Sequence, residues 1–248
     1  MIEARDVDLL GLYWTTSGPV EVGTGREWSL FDFADRCAQA ARVGFHGIGI
    51  WHADPTRRLL FEAAGALNAH HIKVGNIPGT PCPVPQVTER FAELCADAAR
   101  HTGAKIVYEF MPFDANVRSI QTALEVVQGA GAANGGVAID TWHMGKLGIA
   151  PDDLRQIPPP LLSWVELSDG QLEDMPDLVD ETVNHRRLPG EGEFGVHRYV
   201  EVCQDMGYEG PWGVEVLSRE LRSLPMEQIF DRAYDTTIAQ FRTGKELP

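Results

Sequence analysis

The sequence predicts an α/β fold, a closed (β/α)8 barrel with parallel strands inside and helices outside. Three observations carry that prediction. Short apolar runs alternate with stretches of helical periodicity along the chain, the pattern of a parallel sheet built from βα units. Four of the runs deliver an acid near their end: Glu109 in IVYEF, Asp140 in GVAID, Glu166 in LSWVEL and Glu215 in WGVEVL. Acids gathered from several strand ends suit the C-terminal mouth of a barrel better than an open sheet. Finally, 248 residues with 44% hydrophobic content suffice for a single domain of this kind, residues 1–248.

In chain order, Val7 to Tyr13 is the first strand, and a Gly/Thr/Ser-rich loop runs on through Gly25. Ser29 with Asp32 makes an S-x-x-D capping signal, after which Leu30, Ala34, Cys37, Ala38 and Ala41 keep helical spacing. IGIW is the second strand, Thr56 to His70 a helix, and HIKVGN the third strand. Phe91, Leu94, Cys95 and Ala98 mark the inner face of the next helix, KIVYEFMPF is a strand, and Ile120, Ala123, Leu124 and Val127 repeat the helical face. The stretch Gly136 to Gly148 begins as a buried strand and ends abruptly in Asp140, Trp142 and His143. A carboxylate and an imidazole at the end of a core strand are costly unless something pairs with them. Pro151 to Ile157 is a short helix, LSWVEL a strand, Gln171 to Glu193 a long loop of the functional kind, Val196 to Met206 a helix and WGVEVL a strand. Met226, Ile229, Phe230 and Ala233 set the last helix on the core. These strands number seven where a closed barrel needs eight, and the seam lies near Asp54 and Pro55, where a strand passes to a helix with almost no connection.

The formal net charge of -15 repels phosphate backbones and anionic lipid, so nucleic acid and membrane surfaces are poor partners, whereas a metal cation is attracted. The four cysteines form no C-x-x-C pair and suit a reducing, cytoplasmic compartment. MIEARDVDLL lacks a basic region followed by a long apolar stretch, and no window reaches the roughly 18 apolar residues of a membrane span. The expectation is a soluble, unexported protein.

Singly, each of the four acids has a plain reading as a strand-end carboxylate paired with an arginine. Four in the same phase of a repeating βα unit would repel one another strongly unless a cation holds them. Hard oxygen donors favour one divalent metal, Mn²⁺ or Mg²⁺, and a histidine among them would admit Co²⁺ or Zn²⁺. His143, three residues beyond Asp140, is a ligand, an orienting group or a proton donor, against the plain reading of a buried histidine bonded to a carbonyl. In HRRLPGEGEFG, His185, Arg186 and Arg187 precede a Pro/Gly turn whose glycines let backbone N–H groups approach a ligand; the alternative is a solvated basic loop answering the acids before it. Trp51, His52 and Trp142 are substrate-binding candidates, since the apolar face of a sugar packs well on an aromatic ring.

EF-x-PF with Glu109, AIDTWH with Asp140 and His143, VELSDG with Glu166, R-LPGEGEFG with Arg187 and PWGVEVLS with Glu215 together resemble the xylose isomerase-like TIM-barrel superfamily of sugar isomerases and epimerases. The resemblance runs from about Trp28 to Phe241 and implies a (β/α)8 TIM barrel with one divalent metal. It implies that Glu109, Asp140, Glu166 and Glu215 are ligands, that Glu109 and Glu215 exchange a proton beside the substrate carbonyl through an enediolate, and that Arg187 contacts substrate oxygens. Where Glu166 stands the family usually has histidine, which makes this site more anionic. The relatives also carry a further strand and helix where this chain passes Asp54 and Pro55. The implied function is isomerisation or epimerisation of a small sugar or keto-polyol, by a chain that pairs as a homo-oligomer. The alternatives are a dehydratase of a keto-inositol or dehydroshikimate-type substrate and a non-catalytic sugar-binding barrel. A related abasic-site endonuclease would need more histidine ligands and a basic face, neither of which the sequence offers.

Overall fold

The computed structural model describes residues 7–24, 27–50, 57–76 and 81–241. Trp51, His52 and the Asp54/Pro55 seam fall outside the described residues. In chain order the elements are β1 (Leu9–Gly11), α1 (Tyr13–Thr16), α2 (Phe33–Val43), β2 (Gly47–Ile48), α3 (Arg57–Ala66), β3 (His71–Val74), α4 (Val84–Ala98), β4 (Lys105–Glu109) and α5 (Ile120–Ala130). There follow β5 (Gly135–Asp140), α6 (Thr141–Leu147), two 3-10 turns, β6 (Leu162–Leu167), α7 (Leu178–Asn184), α8 (Val196–Asp205), β7 (Trp212–Val214), α9 (Arg219–Arg222) and α10 (Met226–Ala239). Seven strands thus occur among the described residues, as the sequence predicts.

The chain forms two compact units, Met1–Ala53 with Glu166–Pro248, and Asp54–Val165, and the division falls inside β6. In the Asp54–Val165 unit the strand order is β3-β4-β5-β6. The pairs β3–β4 and β4–β5 are parallel, with Lys73 opposite Val107 and Glu109 opposite Ala138. Facing residues of a parallel pair point to the same side of the sheet, as do residues two apart on one strand. Lys73, Val107, Glu109, Ala138 and Asp140 therefore share one face. The other face packs on helices: Phe91, Cys95 and Ala98 of α4, and Ile120, Ala123 and Val127 of α5, are buried. Ser119 and Thr122 close a capping box at the start of α5, and Gly131 ends it at φ 61°.

In the other unit the order is β2-β1-β7-β6, and β1 runs parallel to both β2 and β7. The first strand is shorter than the predicted Val7 to Tyr13, because Tyr13 already begins α1, which Thr15 ties to β7 by donating to the Val214 carbonyl at 2.7 Å. Asp32, rather than Ser29, caps α2, accepting from Ala34 and Asp35 N–H. The buried face of α2 is Arg36 and Ala40, not the alanine series that helical spacing suggests, and Phe33 is 52% exposed. The Arg36 guanidinium stacks over Tyr13 at 5.4 Å and Phe33 at 5.7 Å, so a cation–π packing takes the place of an apolar stripe. The long loop predicted from Gln171 to Glu193 contains α7, capped by Asp177. All four cysteines are free thiols, and burial pushes Cys95 up to about 11 and Cys203 up to about 12. Among the described residues no helix is long and apolar enough to cross a membrane.

Candidate metal centre

Parallel register brings Glu109 and Asp140 together at the ends of β4 and β5. Both are buried, at 6% and 1% exposure, so neither carboxylate is a solvated surface acid. The chain turns straight from β5 into α6, and the reason is Asp140 itself: its Oδ1 accepts the Trp142 N–H at 2.8 Å and caps the helix. One helical turn then sets His143 Nε2 3.5 Å from Asp140 Oδ2 and 3.6 Å from Glu109 Oε1. From β3, on the same face, Lys73 donates to Glu109 Oε1 at 3.2 Å.

One donor atom each from Glu109, Asp140 and His143 lies within 4.8 Å of the others, with all three residues buried. Separations of that size suit atoms bridged by an ion better than atoms hydrogen-bonded directly. Two hard oxygens and an imidazole fit a divalent metal. Trp142, fully buried, stacks on Phe113 at 6.1 Å with 14° between the planes, and Phe113 meets the His143 ring edge-on at 6.2 Å. These rings form an apolar wall beside the acids.

In the other unit, Glu166 is buried on β6 and Glu215 directly follows β7, where its N–H donates to Leu167 O at 3.2 Å. Beside Glu215 stands Arg186 rather than Arg187: Arg186 Nη1 is 3.9 Å from Glu215 Oε2. Arg186 is buried and anchored by Thr182, whose Oγ1 accepts from Nη2 at 2.8 Å. Arg187 turns outward and donates to the Glu191 carbonyl at 3.1 Å. His185 is exposed and lies 3.1 Å from Asp180, whose carboxyl is held below its usual range first by the Asn184 side chain and then by His185.

Two backbone N–H groups of LPGEGEFG, those of Gly190 and Phe194, have a structural occupant. Buried Asp169 accepts from Gly170 at 2.9 Å, from Gly190 at 3.0 Å and from Phe194 at 3.0 Å. A Cβ on Gly192 would lie 2.3 Å from Asp169 Oδ1 and 2.4 Å from Gly170 O, so the turn closes over this carboxylate only because position 192 has no side chain. The predicted approach of backbone to a ligand is, for these residues, an approach to the protein's own aspartate.

A family model described as xylose isomerase-like TIM barrel matches residues 44–239. The chain belongs to this family. A 3-dehydroshikimate dehydratase of Pseudomonas aeruginosa is 28% identical over 130 residues, which are 52% of this chain and 20% of that protein. An inosose isomerase of Halalkalibacterium halodurans is 27% identical over 146 residues, 58% of this chain and 50% of that one. The chain therefore spans a fifth to a half of the length of these two curated relatives. A crystal structure of the IolI protein with a bound zinc atom superposes with a TM-score of 0.78 at 16% identity, covering 97% of this chain and 100% of the other. That likeness speaks for the TIM-barrel fold.

Two residues beside these acids were not singled out by periodicity or spacing. Lys73 reads in HIKVGN as an ordinary strand residue, and only strand pairing reveals that it faces Glu109. Phe113, in EF-x-PF, carried a signal in its motif but none of its role in stacking on Trp142.

Proposed function

We propose that the chain is a divalent-metal-dependent isomerase or epimerase of a small sugar or keto-polyol, working by proton transfer at the carbon next to a carbonyl. Glu109, Asp140, Glu166 and Glu215 would hold the metal, with Mn²⁺ or Mg²⁺ preferred by the carboxylate set and Zn²⁺ or Co²⁺ accommodated. The observation that carries the reading is the buried group of Glu109, Asp140 and His143, with donor atoms within 4.8 Å of one another, in a member of this family. When bound, the metal would polarise the substrate carbonyl and its neighbouring hydroxyl. Glu109 and Glu215 would take and return the proton, while His143 donates to a substrate oxygen. Phe113, backed by the fully buried Trp142, would offer an apolar wall for the C–H face of the ring, and Arg186 would hold the Glu215 carboxylate in place. His185, Arg187, Trp51 and His52 stay substrate-contact candidates on the sequence reading. A place in carbohydrate metabolism, a cytoplasmic location and a homo-oligomer stand as parts of the same proposal.

The likeness to a 3-dehydroshikimate dehydratase favours a second reading, in which the same proton abstraction expels a β-hydroxyl as water. Mass spectrometry of the purified protein tests the shared core. About one divalent metal per chain, lost in Asp140→Asn, supports it, and no metal after incubation with excess Mn²⁺ removes it. Turnover in D₂O then separates the readings. Deuterium in the product without a new enone absorbance indicates isomerisation, and an enone indicates the lyase. Glu215→Gln is expected to abolish turnover with the fold intact.

A further inference from the structure

The Lys73 ammonium and the His143 imidazole approach the same oxygen of Glu109, one of the carboxylates that would hold the metal. Lys73 Nζ lies 3.2 Å from Glu109 Oε1, and His143 Nε2 approaches that atom at 3.6 Å. Glu109 would be a ligand of the proposed metal, so its carboxylate would meet two cations at once. A divalent cation and an ammonium held on one buried carboxylate repel each other, so each weakens the hold of the other. The Lys73 side chain is 24% exposed against 8% for Glu109, which leaves the ammonium a route outward while the carboxylate stays put.

We propose that Lys73 is a resident counter-cation of the metal centre, a positioning residue that holds Glu109 until metal arrives and is displaced from it on binding. The charge balance gives the device a reason. Without a metal, Glu109 and Asp140 are two buried carboxylates side by side, and the ammonium offsets one of their charges. The metal-free centre thus stays folded with a neutralised Glu109, and metal affinity is set by the competition between the two cations. This inference rests on the proposed centre.

The test is Mn²⁺ binding, followed by the EPR signal of the free ion, in the full chain and in Lys73→Met, which keeps the length of the side chain and removes the charge. Competition predicts tighter binding in Lys73→Met, by about tenfold or about 1.4 kcal/mol, and a return toward the original Kd in Lys73→Arg. If Lys73 only braces Glu109, Lys73→Met binds Mn²⁺ more weakly, and that result overturns the inference, as does an unchanged Kd. Should Lys73→Met fail to fold by circular dichroism, Lys73→Gln carries the same comparison. Failure of the original chain to bind Mn²⁺ would instead remove the metal centre itself, so the two failures are told apart.

Discussion

Asp169→Ala isolates what the LPGEGEFG turn depends on. The carboxylate accepts three backbone N–H groups, from Gly170, Gly190 and Phe194, at 2.9 to 3.0 Å, and it is 1% exposed. Alanine leaves all three donors facing an apolar methyl. An unsatisfied buried donor costs about 1–3 kcal/mol; Gly190 is exposed and turns to water, so the loss comes from Gly170 and Phe194 and is expected to be about 3 kcal/mol. With a urea slope of about 2–3 kcal/mol/M for a chain of this size, the unfolding midpoint falls by about 1 M. Asp169→Asn keeps one oxygen but turns an NH₂ group toward one of the donors, and belongs between the two. The assay is equilibrium urea denaturation by fluorescence, with near-equal slopes required for the comparison. A midpoint for Asp169→Ala within about 0.2 M of the original would refute the claim that this carboxylate organises the turn.

Two more outcomes are expected. Gly44 ends α2 at φ 107°, and a Cβ there would lie 2.7 to 3.0 Å from the Tyr234 ring, so Gly44→Ala should lower stability by about 1–3 kcal/mol in thermal unfolding, whereas a neutral result would mean that the ring moves freely. His71, partly buried with its ring 3.9 Å from that of Trp164 between centroids, is pushed down to about 3 by desolvation first and by His70 and Lys73 next. Between pH 6.5 and 3 the unfolded chain binds a proton at His71 that the folded chain refuses, so stability falls as pH falls, by up to about 1.4 kcal/mol per unit. His71→Phe should flatten that acid limb in urea unfolding at pH 5 and 7, and an unchanged slope would show that His71 does not produce it.

The strands with their acids were legible because buried apolar runs are hard to disguise and a carboxylate at the end of one stands out. α5 was legible for the same reason, its periodicity returning Ile120, Ala123 and Val127 as buried. What escaped depends on pairing or on residues with two roles. Lys73 matters through its register with β4, which no single-chain periodicity encodes. α6 is seven residues long, too short for a periodic signal, although its cap Asp140 and its terminating Gly148 at φ 66° are both in plain view. α2 misled because its small residues face outward while a guanidinium lies inside, an arrangement that needs Tyr13 from another element. Arg186 and Arg187 are adjacent and chemically alike. Only the anchoring of the first by Thr182 separates the one beside Glu215 from the one turned away.

Asp140 divides its two oxygens between architecture and chemistry, Oδ1 to the first turn of α6 and Oδ2 toward His143. A screen for folded variants and a screen for active ones would therefore both converge on this position, for unrelated reasons. Alanine would confound them, losing helix and site together. Asparagine retains a carbonyl oxygen for the Trp142 N–H while giving up the negative charge, so it is the one exchange by which the two demands on this residue can be measured apart.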